Sequence, residues 1–198
     1  QKLEKDSKFL GDLKAVMDEF NAYMALKAER TSPSVAYFCM EYGLDTSLKI
    51  YSGERVTEAR CHISGKLFSQ IAQGLVVLVG VGCDSTDEDI EWLAKKLVQL
   101  RIFDDEAGVM NLSLQDIGGE AMLVSQFTLH AMTKKGNRPS WIKAAPESIS
   151  KPLYEKFVRR VEELLGRSVA TGEFGADMKI ELTNDGPVTI WIDSKNRE

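Results

Sequence analysis

Three short segments contain the residue types that could do chemistry. In the first, Ser125, Gln126 and Thr128 place hydroxyl and amide groups at the end of an apolar run. Thr128 could act as a nucleophile, but no obvious base is adjacent to it. His130 would share a strand face with Thr128 only if the strand continued, and a lone histidine at a strand exit is more often structural. From the residues alone, a strand end whose polar groups are simply hydrogen-bonded remains the alternative.

The other two segments are a basic loop and a turn that contains a Gly-Pro pair. The loop places Lys134, Lys135 and Arg138 around a glycine. Such a loop can hold a phosphate backbone, or it can be an exposed charged loop without a ligand. The turn contains Gly186-Pro187, and an X-Pro bond can be cis, which turns neighbouring carbonyl groups in unusual directions. The sequence does not determine the isomer.

Strands with two interposed helices predict an α/β or α+β domain from about residue 54 to 194. One helix should run from residue 85 or 86 to 100, because a hydroxyl side chain can cap it, and the other over 152–165, because proline is favoured in a first turn. The run at 75–81 is apolar throughout, which predicts a strand buried on both faces. The other predicted strands are 48–51, 55–63, 66–71, 121–127, 178–183 and 188–192.

The composition limits the classes of function. The chain has 198 residues, of which 43% are hydrophobic and 28% charged, as in soluble globular proteins. A net charge of -5 means that contact with a polyanion needs a local basic patch. No apolar run approaches the roughly 18 to 20 residues of a membrane helix, and the first ten residues lack the apolar core of a secretion signal. Three cysteines without CxxC spacing favour a reduced, cytoplasmic setting, and two histidines exclude sites that need several, so neither a metal nor a cofactor is expected.

Taken together and in this order, the segments resemble the D-aminoacyl-tRNA deacylase family. The similarity runs from about Glu54 to Ser194. The SQFT and GPVT motifs are signatures of the family, and their joint presence at this separation is specific. The matching blocks are RVTEA (55–59), GLVVLVGVG (74–82), LRIFDDEAGVMNLSLQDIGGE (100–120), SQFTLHAMTKKGNRPS (125–140), PLYEKFV (152–158), VATGEFGADM (169–178) and NDGPVTIWIDS (184–194).

The resemblance implies a homodimer with a β-barrel-like fold, and hydrolysis of the ester that joins a D-amino acid to the 3′ end of tRNA, a proofreading step in translation. In the family the Gly–Pro bond is cis and enters the pocket of the partner subunit, a part that Gly186 and Pro187 would play here. Their carbonyl groups would meet the α-amino group of the substrate and leave no room for an L side chain. Achiral glycine should not be fully excluded. Neither DNA nor a membrane is an expected partner.

The resemblance also implies the roles of single residues in the reaction. An aminoacyl ester is already activated, so positioning and oxyanion stabilisation can suffice. The ribose 2′-OH of the tRNA would assist, the backbone N–H groups of Phe127 and Thr128 would stabilise the oxyanion, and Ser125 and Gln126 would orient the terminal adenosine and the ester. Thr128 as a covalent nucleophile is the alternative.

Two further groups of residues follow from the same resemblance. Arg55 matches the arginine that helps hold the Gly-Pro motif in the family. Lys134, Lys135 and Arg138 would lie close to the phosphates of the acceptor end, which gives the acidic chain the local basic patch that it needs.

Residues 1–53 do not match this family, which begins a few residues before the arginine with a strand of the type M-x-x-V-x-Q-R-V. An amphipathic helix is predicted over 2–30 and a strand over 34–40. Residues 34–44 and 48–53 resemble a short N-terminal piece of bacterial α-glucan phosphorylases. In those enzymes the sequence continues into a glycine-rich loop, but here the resemblance is cut off at Gly53. We therefore expect a helical N-terminal extension, 1–53, from a fused fragment, and a deacylase domain, 54–198, whose first strand is altered.

Two alternatives to the enzyme follow from this N-terminal extension. If the fused segment displaces the first strand, the domain could be a catalytically idle module that binds the end of tRNA. A carbohydrate-binding remnant could use Tyr37, Phe38 and Tyr42, although such aromatic residues are more often buried in a core.

Overall fold

The computed structural model describes residues 48–83, 85–134 and 136–197. The helix expected over 2–30, the strand over 34–40, the three N-terminal aromatic residues and Lys135 lie outside the described residues. The helices are α1 (Asp87–Gln99), α2 (Glu147–Leu165) and a short 3-10 helix (Phe127–His130). The strands are β1 (Leu48–Ile63), β2 (Lys66–Ile71), β3 (Gly74–Val81), β4 (Phe103–Asp104), β5 (Met110–Leu112), β6 (Glu120–Ser125), β7 (Ala170–Thr171) and β8 (Met178–Asp193).

The main sheet is curved around the long strand β1. The first half of β1 lies between β8 and β3, and its second half lies between β8 and β2, all in antiparallel pairs. Strands β6 and β7 continue the sheet beyond β3 in parallel pairs, which require crossover connections; α1 precedes β6 and α2 precedes β7. The Ser69 hydroxyl on β2 donates to the Thr171 carbonyl on β7 (2.7 Å), so the ends of the sheet meet. The sheet is therefore nearly closed, which confirms the β-barrel-type α/β class with two helices.

The first strand is present, although the sequence ahead of Arg55 departs from the family pattern. Residues 48–51 pair with the end of β3, from Leu48 opposite Val81 to Tyr51 opposite Leu78. A register shift follows between Tyr51 and Gly53, and the strand then continues to Ile63. The predicted strands 48–51 and 55–63 are thus one strand with an irregularity, because the Ser-Gly pair bends the ladder without ending it.

Both faces of the central strands are buried, as the continuous apolar run of β3 predicts. Leu75, Val77 and Val79 point to the layer of helices, where they pack in one core with Phe157 of α2. The alternate residue Val76 belongs to a second core on the other side of the sheet. Residues around β3 and β6 are therefore fixed from two sides, and they form the rigid base of the strand ends.

The first helix begins and ends as predicted, but the second begins earlier. Thr86 caps α1 through a reciprocal pair, in which Thr86 Oγ1 accepts from the Asp89 N–H (3.3 Å) and Asp89 Oδ2 accepts from the Thr86 N–H (2.8 Å). The prediction that Pro152 opens α2 is wrong. The helix starts at Glu147, after Pro146, and Pro152 lies inside it. The preceding turn is helical because Ile149 packs against the core.

The predicted strand 121–127 and the predicted turn at 184–187 also differ from the structure. Strand β6 ends at Ser125, and the chain enters the 3-10 helix at Phe127. Strands 178–183 and 188–192 are the two halves of the single strand β8, and both halves pair with β1. The Asn-Asp-Gly-Pro signal therefore marks a bulge and not a hairpin.

In the described ranges, no helix has the length and apolar character needed to cross a membrane.

Helices α1 and α2 are joined by ion pairs at Glu91. Arg160 binds this carboxylate with two nitrogens (2.5 and 2.9 Å), and Lys95 contacts it at 2.8 Å. The hydrogen bonds from Arg160, followed by those from Lys95, lower the pKa of Glu91 from 4.5 to about 2. Because the folded pKa lies below the unfolded one, the stabilisation is complete above about pH 4.5 and is lost as the pH falls towards 2.

We expect Glu91→Gln to flatten the dependence of the melting temperature on pH between 4.5 and 2. Thermal unfolding followed by circular dichroism over this range measures the slope. Glu155→Gln on the exposed face of α2 is the control and should keep the slope of the parent. A parental slope in Glu91→Gln would contradict the assignment, and added salt should reduce the difference.

Candidate active site

The SQFT segment stands at the carboxyl end of β6, where the strand gives way to the 3-10 helix. Ser125 is the last strand residue and lies opposite Val79 of β3. The Gln126 N–H donates to the Val79 carbonyl (2.8 Å), which anchors the start of the helix to the buried strand. Because residues two apart on a 3-10 helix do not share a face, the possible strand pairing of Thr128 with His130 does not arise.

The polar atoms of this helix are arranged around Thr128. Gln126 Nε2 donates to Thr128 Oγ1 (2.5 Å), so the threonine hydroxyl oxygen is held as an acceptor. In a 3-10 helix the first N–H groups have no acceptor within the helix, and here these belong to Phe127 and Thr128. The arrangement leaves two adjacent backbone donors at the helix start.

Gly80 on β3 allows the 3-10 helix to lie directly on the sheet. A Cβ atom at this position would stand 3.0 Å from Leu129 Cβ, 3.1 Å from the Gln126 carbonyl oxygen and 3.2 Å from His130 Nε2. His130 is buried, with its ring against this glycine. It therefore faces the strand and is not placed as a base for Thr128.

An exposed aromatic surface flanks the helix. Phe127 is 57% exposed, and its ring meets Trp141 edge to face, with 5.6 Å between centroids. Ile142 and Met132 are exposed nearby in the chain. Large apolar side chains that surround a polar strand end in this way are typical of a surface that a ligand or partner covers.

The Gly186-Pro187 pair lies on a bulge of β8. Glu54 pairs with Thr189, and the next pair is Val56 with Asn184, so β1 advances by two residues while β8 advances by five. Residues 185–188 of β8 thus lie opposite Arg55 alone, which is three residues more than a regular ladder contains. The Gly186–Pro187 bond is cis, and Gly186 has φ +134°, in the region that favours glycine. Both residues are exposed. The bulge presents backbone groups to the outside of the sheet.

Arg55, the β1 residue that faces the gap in the ladder, holds this bulge. Its side chain is buried, and its Nε donates to the Asp185 carbonyl (2.8 Å). Its Nη1 donates to the Ile102 carbonyl (2.9 Å) and lies 3.3 Å from the Asp104 carboxylate. The planar fork of arginine suits three acceptors in different directions, which the ammonium group of lysine does not reproduce. Arg55 therefore contacts the bulge at Asp185, the residue before Gly186.

The basic loop begins directly after the 3-10 helix. Reciprocal backbone hydrogen bonds between Met132 and Ser140 (2.8 and 3.0 Å) close its base. Lys134 and Arg138 are exposed, and within the described residues neither of them forms an ion pair. The loop therefore presents these positive charges to solvent beside the end of β6.

The two motifs are not brought together within one chain. Between the bulge on β8 and Ser125 on β6 lie β1 and β3, which corresponds to about 14 Å across the sheet. The bulge lies opposite Arg55, which pairs with Leu75 of β3, whereas Ser125 pairs with Val79 of β3. The step from residue 75 to residue 79 corresponds to about 13 Å along the strand. The Gly186-Pro187 bulge and the end of β6 are thus at separate places on the sheet of one chain.

Two residues of the site were not selected in the sequence. Gly80 is recognisable only as an interruption of an apolar strand, a signal of close backbone approach that does not say what approaches. Asn184 accepts a hydrogen bond from the Val188 N–H (3.0 Å) across the bulge, and its sequence context indicated only a turn. In the described parts of the chain, no group of three histidine, cysteine or acidic residues is arranged to hold a metal ion.

Comparison with known families separates the chain into two parts. The family model for D-Tyr-tRNA(Tyr) deacylase matches residues 54–193. A second family model, described as a protein of unknown function, matches residues 1–48. Proteins named D-aminoacyl-tRNA deacylase from Parabacteroides distasonis and Bacteroides thetaiotaomicron are 61% and 57% identical over 145 residues, which is 73% of this chain and 97% of each relative.

Solved structures show the same fold. A structure titled c-Myc DNA Unwinding Element Binding Protein is 33% identical, with a TM-score of 0.67, and the match covers 73% of this chain and 97% of that one. A probable eukaryotic D-amino acid tRNA deacylase is 18% identical with a TM-score of 0.65 over 75% of this chain and all of that one, a likeness of fold alone. With the family model matching residues 54–193 and relatives above 50% identity, the chain belongs to the D-Tyr-tRNA(Tyr) deacylase family.

Proposed function

We propose that this protein hydrolyses the ester bond of D-aminoacyl-tRNA and releases the free D-amino acid and tRNA. The observation that carries the proposal is the match of residues 54–193 to the deacylase family. The SQFT strand end and the Gly-Pro bulge both lie within the matched residues. The chain then consists of an N-terminal extension, 1–53, and a deacylase domain, 54–198, which agrees with the separate matches at 1–48 and 54–193. It would act in the cytoplasm, where translation supplies charged tRNA.

Selectivity for the D isomer would come from the Gly-Pro bulge. Gly186 and Pro187 are exposed, so their backbone carbonyl groups would accept from a substrate α-amino group and would occupy the space that an L side chain needs. The bulge and the SQFT segment of one protomer are separated by two strands, which supports action of the bulge on the pocket of a partner subunit. Because glycine has no side chain to exclude, glycyl-tRNA should also be a substrate.

A homodimer is part of this proposal. Strand β8 lies at the edge of the described sheet, with the bulge in its middle and exposed Leu182 and Trp191 on either side of it. An exposed strand with large apolar residues is a surface that proteins normally cover. A second copy that covers this edge would also receive the bulge, so one contact would provide both the stability of the dimer and the completion of the site.

The chemistry would rest on positioning and not on a protein nucleophile. The Thr128 hydroxyl oxygen accepts from Gln126, and the buried His130 faces Gly80, so no described base stands beside the hydroxyl. The N–H groups of Phe127 and Thr128 would hold the oxyanion, while Ser125 and Gln126 orient the ester and the terminal adenosine. The 2′-OH of the terminal ribose would assist the attack, which makes the substrate part of the catalytic machinery.

The tRNA would be held near its 3′ end by the basic loop. Lys134 and Arg138 are exposed beside the SQFT segment, and the sequence places Lys135 in the same loop. Such contacts bind phosphate without reading sequence and weaken with added salt. DNA is not an expected partner of this site, because its chemistry requires an aminoacyl ester.

The idle tRNA-binding alternative depends on the loss of the first strand. Strand β1 is present from Leu48, and its Arg55 contacts the bulge, so the structural reason for inactivity is missing. The carbohydrate-binding alternative depends on three aromatic residues outside the described part of the chain, and no further feature supports it.

We expect the protein to release D-tyrosine from D-Tyr-tRNA and to leave L-Tyr-tRNA intact, with glycyl-tRNA hydrolysed as well. Incubation of each labelled substrate with the protein, followed by measurement of the free amino acid, tests this. Spontaneous hydrolysis without protein is the control. Release of neither tyrosine isomer above this control would contradict the enzyme and favour the idle module.

Thr128→Ala should retain turnover within about tenfold of the parent, because the proposed oxyanion donors are backbone groups. Loss of a true covalent nucleophile typically costs a factor of about 10⁴ or more. Single-turnover rates with D-Tyr-tRNA separate the two cases. Ser168→Ala, in an exposed loop after α2, is the matched hydroxyl control and should equal the parent.

Gly186→Ala should lower the ratio of D- to L-tyrosine release by about tenfold or more. Its φ of +134° disfavours an L residue, and the new Cβ would stand 2.8 Å from Val188 Cγ2 and 3.0 Å from the Val188 nitrogen, so the bulge must move. Gly65→Ala is the control, since Gly65 also has positive φ (+74°) but open space for a Cβ. An unchanged ratio in Gly186→Ala would contradict a role of the bulge in selectivity.

A further inference from the structure

The neck of the Gly-Pro bulge is closed by a side chain to which the sequence assigns no role. Glu54 lies on β1 immediately before Arg55 and pairs in the ladder with Thr189. Its Oε2 accepts a hydrogen bond from Asn184 Nδ2, at the start of the bulge, and another from the Thr189 hydroxyl (3.2 Å), at its end. One carboxylate oxygen thus joins the two points at which β8 leaves and re-enters the ladder.

The orientation of Asn184 makes an acceptor at position 54 necessary. Asn184 Oδ1 accepts from the Val188 N–H (3.0 Å), so this carbonyl end faces into the bulge. The amide nitrogen must then face β1, where it can only donate. Glu54 supplies the acceptor, and the Thr189 oxygen lies 3.4 Å from the same nitrogen. Asn184 therefore transmits the position of Glu54 to the backbone of residue 188, next to Pro187.

Glu54 and Arg55 hold different parts of the same bulge. Arg55 binds the Asp185 carbonyl from beneath, whereas Glu54 fixes the width of the neck through Asn184 and Thr189. Hydrogen bonds to a carboxylate are shorter and stronger than those between neutral groups, so this contact can restrain an exposed segment. The remaining partners at the neck are neutral side chains.

We propose that Glu54 is a positioning residue for chiral selectivity: by joining Asn184 to Thr189 it sets the height and direction of the Gly186-Pro187 tip. The inference rests on the proposed function, because the tip matters only if it selects the substrate. Glu54 does not touch the substrate itself. It acts through Asn184 and Val188, and loss of its oxygen should loosen the tip without unfolding the sheet.

The test compares the ratio of D- to L-tyrosine release from charged tRNA in four proteins. Glu54→Ala should lower the ratio about tenfold, which corresponds to the loss of one hydrogen bond to a charged group. Glu54→Gln keeps an acceptor oxygen and should stay within about threefold of the parent. Glu58→Ala is the control, because this exposed carboxylate on the same strand bonds to Arg60 and not to the bulge.

A parental ratio in Glu54→Ala, or a Glu54→Gln variant as unselective as Glu54→Ala, would overturn the inference. If the alanine variant does not fold by circular dichroism, Thr189→Val decides, since it removes one donor to Glu54 with little change of shape. A several-fold lower ratio in Thr189→Val supports the inference, and an unchanged ratio overturns it.

Hydrogen exchange separates this inference from the proposed function. The backbone amides of residues 184–186, 188 and 189 should exchange faster in Glu54→Ala than in the parent, while those of β3 stay protected. If the parent releases no D-tyrosine, the proposed function fails and the role of Glu54 in selectivity fails with it. Faster exchange in Glu54→Ala would still support the structural contact of Glu54 with Asn184 and Thr189. If the amides of Glu54→Ala exchange as slowly as those of the parent, Glu54 does not hold the bulge, whatever the activity is.

Discussion

The contact on which the rest of the structure depends is that between Arg55 and the bulge of β8. A ladder of backbone hydrogen bonds cannot hold three extra residues by itself, because those residues have no partners across the strand. The guanidinium group replaces the missing ladder by donating to the Asp185 carbonyl on one side and to the Ile102 carbonyl on the other. A single buried side chain on β1 thus connects the bulge of β8 with Ile102, which immediately precedes β4.

Burial makes this contact strong and also makes its partners necessary. A charge in the interior is tolerated only when it is paired and hydrogen-bonded, and Arg55 meets this condition with two carbonyl groups and the carboxylates of Asp104 and Asp185. Both carboxylates lie nearer to solvent than the arginine does. The positive charge is therefore neutralised from the outer side, and the carbonyl groups fix its direction on the inner side. The exposed tip rests on a buried, hydrogen-bonded base.

The sequence predicted most elements that depend on local patterns. The cap of α1 at Thr86 and the buried strand β3 follow from a hydroxyl cap and an apolar run. The elements that it missed are decided by distant contacts. The start of α2 depends on Ile149 reaching the core, and the single strand β8 depends on β1 pairing on both sides of the bulge.

The candidate site divides in the same way. The sequence made one group of residues recognisable because they are consecutive: Ser125, Gln126, Phe127 and Thr128. The resemblance to a family then suggested a hypothesis for their role. Their conformation was not recognisable, since the 3-10 helix lies on the sheet at a distant residue, Gly80, where the missing side chain leaves room beneath it. Contacts between strands, such as those of Glu54 with Asn184, have no local sequence signal at all.

Strand β1 begins ahead of the family match and shows which parts of a strand depend on sequence. Residues 48–53 differ from the pattern of the family, yet their backbone pairs with β3 on one side and β8 on the other. Backbone hydrogen bonds use groups that every residue except proline possesses, so a segment outside the family match can complete a ladder if it has extended character. The side chains that matter begin at Glu54 and Arg55, where the family match also begins. A change of sequence ahead of Glu54 can therefore leave both the sheet and the support of the bulge intact. The residues of β1 whose side chains contact the bulge are Glu54 and Arg55, which follow the changed segment.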